Sequence, residues 1–168
     1  NIKTMQYDGL SRRLFMDDPD RGAMTYVYDD FGNLVETTDA KGQTIRYTYD
    51  AANRLFQELW VYSEDDIRPY ATYHYDWDLS ERHPDARNTM GQISYVEDQA
   101  GILYYSYDPR GNRTGEIRYF TEEDLEFATL MGYDATDRLT SLTYPDGTTI
   151  AYEYNQHGLL ESIPGFVN

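Results

Sequence analysis

The feature that most constrains this chain is a dyad that keeps returning. Tyrosine followed by aspartate, or once by asparagine, stands at Tyr7-Asp8, Tyr28-Asp29, Tyr49-Asp50, Tyr75-Asp76, Tyr107-Asp108, Tyr133-Asp134 and Tyr154-Asn155, at spacings of 21, 21, 26, 32, 26 and 21 residues. Two residues before each dyad tyrosine stand Met5, Tyr26, Tyr47, Tyr73, Tyr105, Met131 and Tyr152. A spacing of two is the period of a β-strand, so each such pair shares one face. The residue between the two is Gln6, Val27, Thr48, His74, Ser106, Gly132 or Glu153, which is mostly polar or small and gives the alternation of a half-exposed strand. A helix would turn positions i and i+2 to different faces.

Turn chemistry follows each dyad. Three residues past the Asp position come Ser11, Gly32, Asn53, Leu79, Gly111, Asp137 and Gly158, mostly types that tolerate positive φ. The Asp can accept hydrogen bonds from nearby backbone N–H groups. Leu34, Leu55, Leu139 and Leu160 then open the next strand. Second turns lie between dyads, at Asp39-Ala-Lys-Gly42, Asp98-Gln-Ala-Gly101 and Pro145-Asp146-Gly147. The unit is strand, tight turn, strand, which makes neighbours antiparallel. Expected pairs include 34–38 with 44–49 and 139–144 with 148–154. The 26-residue spacings each hold an acidic stretch, Tyr62-Ser-Glu-Asp-Asp66 and Phe120-Thr-Glu-Glu-Asp124, expected as the tips of longer hairpins. Thr121 with Asp124 also has the pattern of a capping box, which would start a short helix there. The 32-residue spacing contains an irregular stretch, Trp77 to Asn88, where His83-Pro84-Asp85 breaks any strand. Two dyads depart from the pattern: Asp76-Trp77-Asp78-Leu79 lacks the turn glycine, and Asp8-Gly9-Leu10-Ser11 shifts it.

These residues resemble the RHS or YD-repeat family, whose pattern is G-x-x-x-x-Y-x-Y-D-x-x-G-[NR]-L. It is met here as Gly42-Gln-Thr-Ile-Arg-Tyr47-Thr-Tyr49-Asp50-Ala-Ala-Asn53-Arg54-Leu55, as Tyr26-Val-Tyr28-Asp29-Asp-Phe-Gly32-Asn33-Leu34 and as Tyr105-Ser-Tyr107-Asp108-Pro-Arg-Gly111-Asn112. The family includes bacterial Rhs polymorphic toxins, B and C components of insecticidal toxin complexes, and teneurins. The resemblance implies an all-β fold: an antiparallel meander of hairpins forming a long curved strip, part of a hollow shell. It implies a secreted or cell-surface bacterial protein whose shell encloses a toxin domain, with residues 1–168 a single segment of a larger protein. The family's self-cleaving element, a paired D-P-x-G, is matched once, at Asp108-Pro-Arg-Gly111, in register with an ordinary repeat turn; the expected role there is structural.

Composition narrows the function classes. Tyr accounts for 18 residues against six Phe and two Trp, which suits a surface that is packed yet touches water. The net charge of −16 repels nucleic acid and anionic lipid, so neither is an expected partner. No apolar run approaches the ~18 residues of a spanning helix. The absence of Cys removes disulfides and thiol chemistry. His74, His83 and His157 have no zinc-ligand spacing, and His74, between two strand tyrosines, is expected to be solvated. The acidic tips lack the ligand spacing of a calcium loop. No catalytic motif is present, so neither enzyme activity nor a cofactor is expected. A sheet one layer thick would be held by cross-strand pairs worth roughly 0.2–1 kcal/mol each, with its edges open to self-association. The competing reading is an adhesion module, in which Trp60, Trp77 and Tyr70 stack on glycan or meet a receptor.

Overall fold

The computed structural model describes residues 2–79, 83 and 85–165. Pro84, expected to break a strand, lies outside these. Among the described residues there are fifteen strands: β1 Thr4–Tyr7, β2 Arg13–Asp18, β3 Gly22–Tyr28, β4 Leu34–Thr38, β5 Thr44–Tyr49, β6 Leu55–Ser63, β7 Asp66–Tyr75, β8 Ile93–Asp98, β9 Gly101–Tyr107, β10 Arg113–Phe120, β11 Leu125–Tyr133, β12 Leu139–Thr143, β13 Thr149–Ala151, β14 Glu153–Tyr154 and β15 Leu160–Ser162. None of the described residues is helical. The chain forms two compact units, one up to Thr72 and one from Tyr73 onward.

In the first unit the strands follow sequence order from β1 to β7, each antiparallel to the next. In the second, β8 to β13 do the same, and β14 pairs with β15. The fold is thus the all-β antiparallel meander that the dyad spacing implies. The expected pairing of 34–38 with 44–49 coincides with β4 and β5. The 148–154 strand is divided at Tyr152, whose N–H still donates to the Thr140 carbonyl at 2.9 Å.

Both long hairpins form, but no helix starts at Thr121. Its N–H donates across to the Ala100 carbonyl (3.2 Å), and Asp124 takes a left-handed φ of 51° with its carboxylate accepting the Tyr119 hydroxyl at 2.9 Å. Those two commitments leave neither residue free to serve a capping box.

The expectation of a single bare layer fails in the second unit. Tyr95, Tyr104, Ile117 and Ala128 stand opposite one another across β8 to β11, and side chains directly opposite share a face. Leu79 and Ala86, from the segment between β7 and β8, pack with Tyr95, Tyr104 and Ile117. Leu79 is 1% exposed and Ile117 2%. Leu79 and Ala86 form an apolar lid over that face, and burying a side chain as large as Leu79 contributes about 1.5–3 kcal/mol. His74 faces the same way and is half-buried rather than freely solvated. Its ring stacks flat on Tyr95 (4.2 Å between centroids, 10° between planes), with Nε2 3.3 Å from Glu97 Oε2. The period of two is the reason: a residue between two dyad positions points to the face opposite theirs, and here that face is covered.

Candidate functional site

The repeated structure is the dyad turn, and its parts recur almost atom for atom. In the turns at Asp8, Asp29, Asp50, Asp108, Asp134 and Asn155, the dyad N–H donates to the carbonyl four residues on. The N–H three residues on donates back to the dyad carbonyl. The residue at that third position is left-handed in all six: Ser11 (φ 64°), Gly32 (89°), Asn53 (62°), Gly111 (88°), Asp137 (62°) and Gly158 (78°). Gly9 is not the displaced turn glycine, since Ser11 itself occupies the left-handed corner.

The dyad side chain locks this turn. Asp8 Oδ1 accepts the N–H groups of Leu10 and Arg12, both at 2.9 Å; Asp50 does the same for Ala52 and Arg54, Asp108 for Arg110 and Asn112, and Asp134 for Thr136 and Arg138. Asp29 accepts from Asn33, and Asn155 from His157 and Leu159. The second carboxylate oxygen holds the side chain four residues on: Arg12 (2.6 Å), Asn33 (3.0 Å), Arg54 (2.9 Å), Asn112 (3.0 Å) or Arg138 (2.7 Å). One carboxylate thus fastens both backbone and side chain, which explains why Arg or Asn recurs there.

These bonds favour the ionised carboxylate. The Arg138 guanidinium holds the Asp134 carboxyl far below the usual range, and backbone donation from Arg12 and Arg54 lowers Asp8 and Asp50. The Asn112 amide lowers Asp108; burial pushes Asp29 up, but Asn33 outweighs it.

The dyad tyrosine acts across repeats. Tyr7, Tyr28, Tyr49, Tyr107, Tyr133 and Tyr154 each sit at a register shift against the following strand. The hydroxyl reaches back to a carbonyl of the strand opened by the preceding turn: Tyr28 to Arg13 (3.0 Å), Tyr49 to Leu34 (2.8 Å), Tyr107 to Ile93 (3.0 Å), Tyr133 to Arg113 (3.0 Å) and Tyr154 to Leu139 (2.8 Å). Tyr7 differs, donating to Met5 Sδ at 2.9 Å. A Phe could fill the same space, but only the phenol supplies this donor. The partner tyrosines two residues earlier are packed rather than bonded to the turn. Tyr26 is buried under Arg13, 4.5 Å from its ring centroid; Tyr47 OH lies 3.4 Å from Thr37 Oγ1; Tyr105 has Arg113 at 5.7 Å. Tyr73, at the head of the second unit, and Tyr152, between β13 and β14, occupy the equivalent strand positions.

The Tyr75-Asp76 dyad carries the excursion inside its turn. Asp76 N–H donates to the Gln92 carbonyl (3.2 Å) and Gly91 N–H to Asp76 Oδ1 (2.6 Å). Gly91, at φ 79°, is the missing turn glycine, and Ile93 supplies the carbonyl that Tyr107 caps. Leu79, three residues after Asp76, is not a turn residue at all but part of the buried cluster. Sequence reasoning missed this, although Gly91-Gln92-Ile93 reads like Gly32-Asn33-Leu34.

The candidate ligand-facing aromatics do not converge. Trp60 and Tyr70 meet edge to face at 5.7 Å in the first unit. Tyr70 is 44% exposed at a register shift of β7. Trp77, in the second unit, is 52% exposed and is propped by His74 (6.0 Å) and Tyr95 (5.9 Å). Among the described residues no group of three or more His, Asp or Glu is placed to hold a metal ion. In the tips, Asp66 is engaged by Arg68 through two bonds of 2.7 and 2.8 Å. Asp108-Pro-Arg-Gly111 is an ordinary dyad turn, its carboxylate occupied by the bonds given above.

An array of antiparallel hairpins, each closed by the same Tyr-Asp turn, defines the class. Residues 28–59 and 133–163 match the RHS Repeat family model, both windows opening on a dyad tyrosine. Over those two windows the chain is similar to the RHS-repeat family. It is 29% identical over 168 residues to the toxin protein Tse5 of Pseudomonas aeruginosa, covering 94% of this chain and 12% of that protein. It is 27% identical over 165 residues to the double-stranded DNA deaminase toxin A of Burkholderia cenocepacia, covering 83% and 11%. The chain therefore spans only a small part of these relatives. Its fold matches part of the TcdB2-TccC3 crystal structure, with a TM-score of 0.71 at 20% identity over 96% of this chain and 9% of that one. The Photorhabdus luminescens Tc holotoxin pore gives the same score and identity over 96% and 8%.

Proposed function

We propose that this chain is a non-catalytic segment of a β-sheet shell that encloses a toxin domain within a secreted or cell-surface bacterial RHS-repeat protein. The observation that carries this reading is the turn itself. Every dyad carboxylate described above is committed to its own turn, and the dyad phenols from Tyr28 to Tyr154 with a named carbonyl are committed to the adjacent strand. Groups consumed in holding a sheet are not poised for chemistry. The relatives' names, both toxins, support the remainder. Residues 1–168 then act as one YD-repeat segment built of two units, and the partners are the rest of the parent chain and the domain it surrounds. The exposed strand β1 would meet a neighbouring strand there, and a second copy when the segment is isolated. Single-particle imaging of the full-length parent tests this, with limited proteolysis alongside. A hollow β-walled body protecting an internal domain from protease is expected; a solid globule, or a domain cleaved as fast as when free, would reject the shell.

A second reading rests on Trp77, half exposed yet held by two rings: a surface that binds glycan or a receptor. Glycan-array binding abolished by Trp77→Ala would favour it. Silence across the array with the unaltered chain would remove it.

A further inference from the structure

Left-handed corners in this chain are filled either by glycine or by a side-chain-bearing residue. The backbone alone does not decide which, because Ser11, Asn53 and Asp137 hold φ values of 62–64° without strain relief from glycine. The preceding turn does decide. Asn33, four residues after Asp29, donates its amide to Asn53 Oδ1 at the next corner (2.6 Å), and Asn53 donates back to Asn33 Oδ1 (3.2 Å). Asn112, four after Asp108, donates to Asp137 Oδ1 at the next corner (2.6 Å). Where the fourth residue is long, the next corner is glycine. Arg138 Nη1 lies 3.2 Å from where a Cβ on Gly158 would stand, and Gln92 Nε2 lies 3.3 Å from one on Gly111. Arg12 Nη1 is 3.7 Å from one on Gly32. The two arginines also sit over the next dyad ring, Arg12 at 4.9 Å from Tyr28 and Arg138 at 4.6 Å from Tyr154.

We propose that the side chain four residues after each dyad Asp is a selectivity element that chooses the corner residue of the neighbouring turn: Arg or Gln with glycine, Asn with Asn or Asp. Arg12 and Arg138 cross the corner to reach the next tyrosine, and Gln92 and Arg138 lie close enough to crowd a Cβ placed there, while Arg12 would touch one at ordinary contact distance. A short amide stops at the corner and bonds the side chain it finds there. Five pairs follow this pattern: 12 with 32, 33 with 53, 92 with 111, 112 with 137, and 138 with 158; at Gly91, the corner after Arg54, the place of a Cβ is open. The pairing makes each turn complementary to the turn that follows it along the sheet. This does not depend on the shell reading.

The test is a double-mutant cycle in the full chain, read by thermal unfolding and by hydrogen exchange of the Asn33 and Asn53 turns. Asn33→Arg alone sets a guanidinium against the Asn53 amide, and Asn53→Gly alone leaves the Asn33 amide only its bond to Asp29 Oδ2. Each single variant is expected to lower the unfolding midpoint by about 2–4 °C, the shift that one lost hydrogen bond produces in a chain of this size. Together they recreate the Arg–Gly combination, and the double variant is expected to recover at least half of the loss. Additive losses, or a double variant that fails to fold, would overturn the proposal. The converse cycle, Arg138→Asn with Gly158→Asn, must show the same sign of coupling.

Discussion

The two units bury different sides of one repeat: the first packs its dyad face, and the second covers the other face as well. In the first, the buried side chains include Met16, Tyr26 and Thr37, with Tyr26 directly opposite Thr37, so the dyad face is the packed one. Val27, between two dyad tyrosines, is 48% exposed. In the second, the same between-position belongs to His74 and Ser106, both covered, and the buried row of Tyr95, Tyr104 and Ile117 lies on the face away from Tyr105 and Tyr107. The difference comes from one insertion inside the Asp76 turn, which lays Leu79 and Ala86 over that face. A repeat whose stability resides in its turns and cross-strand pairs can therefore accept a cover on the face away from the dyads without changing its hydrogen bonding.

The comparison breaks most readily at Leu79. Leu79→Ala should remove about 2–5 kcal/mol, because the side chain is fully enclosed and leaves a cavity. Hydrogen exchange should quicken across β8 to β10 and stay unchanged across β2 to β5. A uniform loss of protection in both units would mean that the lid is not a local core. Smaller effects should follow from the phenol bonds. Tyr49→Phe in the first unit and Tyr107→Phe in the second each delete one hydroxyl-to-carbonyl bond of about 3 Å. Each should cost about 0.5–1.5 kcal/mol, plus part of the penalty for leaving the carbonyl unpaired. The Tyr107 substitution should be the milder if the lid supplies most of the second unit's stability; equal or reversed costs would place stability in the turns of both units alike.

How much of this was legible in the sequence depends on how local the cause is. The strands, their antiparallel order and the left-handed corners follow from Tyr-x-Tyr-Asp and the residue three positions on, all within one hairpin. The role of Arg or Asn four residues after the Asp needed the folded turn, where Oδ2 of the same carboxylate meets it. The lid was not legible, because nothing local marks Leu79 as buried when its neighbours are Asp78 and Trp77. Its clue was distant: Gly91-Gln92-Ile93 resumes the interrupted motif fifteen positions after Asp76. His74 was misread for the same reason, since alternation assigns a side chain to a face but cannot say what covers that face.

The smallest expected effect concerns charge. The dyad carboxyls are lowered by the bonds they accept, Asp134 most of all through Arg138 and Asp50 through the Arg54 amide. A carboxyl lowered by folding adds stability that is fully present above its unfolded value of about 3.9 and is lost as pH falls through the lower folded value. Asn155 shows that an amide can serve the same turn, since its Oδ1 accepts from His157 and Leu159 at 2.9 and 3.1 Å. Asp50→Asn and Asp134→Asn should therefore keep the backbone bonds of each turn while removing its ionisation and the Oδ2 bond to Arg54 or Arg138. Their unfolding midpoints should lie slightly below the parent's near neutral pH, and the gap should close as pH drops well under about 3.9, where the parent's carboxylates also become protonated. A gap that stays constant across that range would assign the effect to lost geometry. Because the first unit has no lid to lean on, Asp50→Asn should raise its exchange rates more than Asp134→Asn raises those of the second. The opposite ranking would show that the dyad turns carry as much of the covered unit as of the bare one.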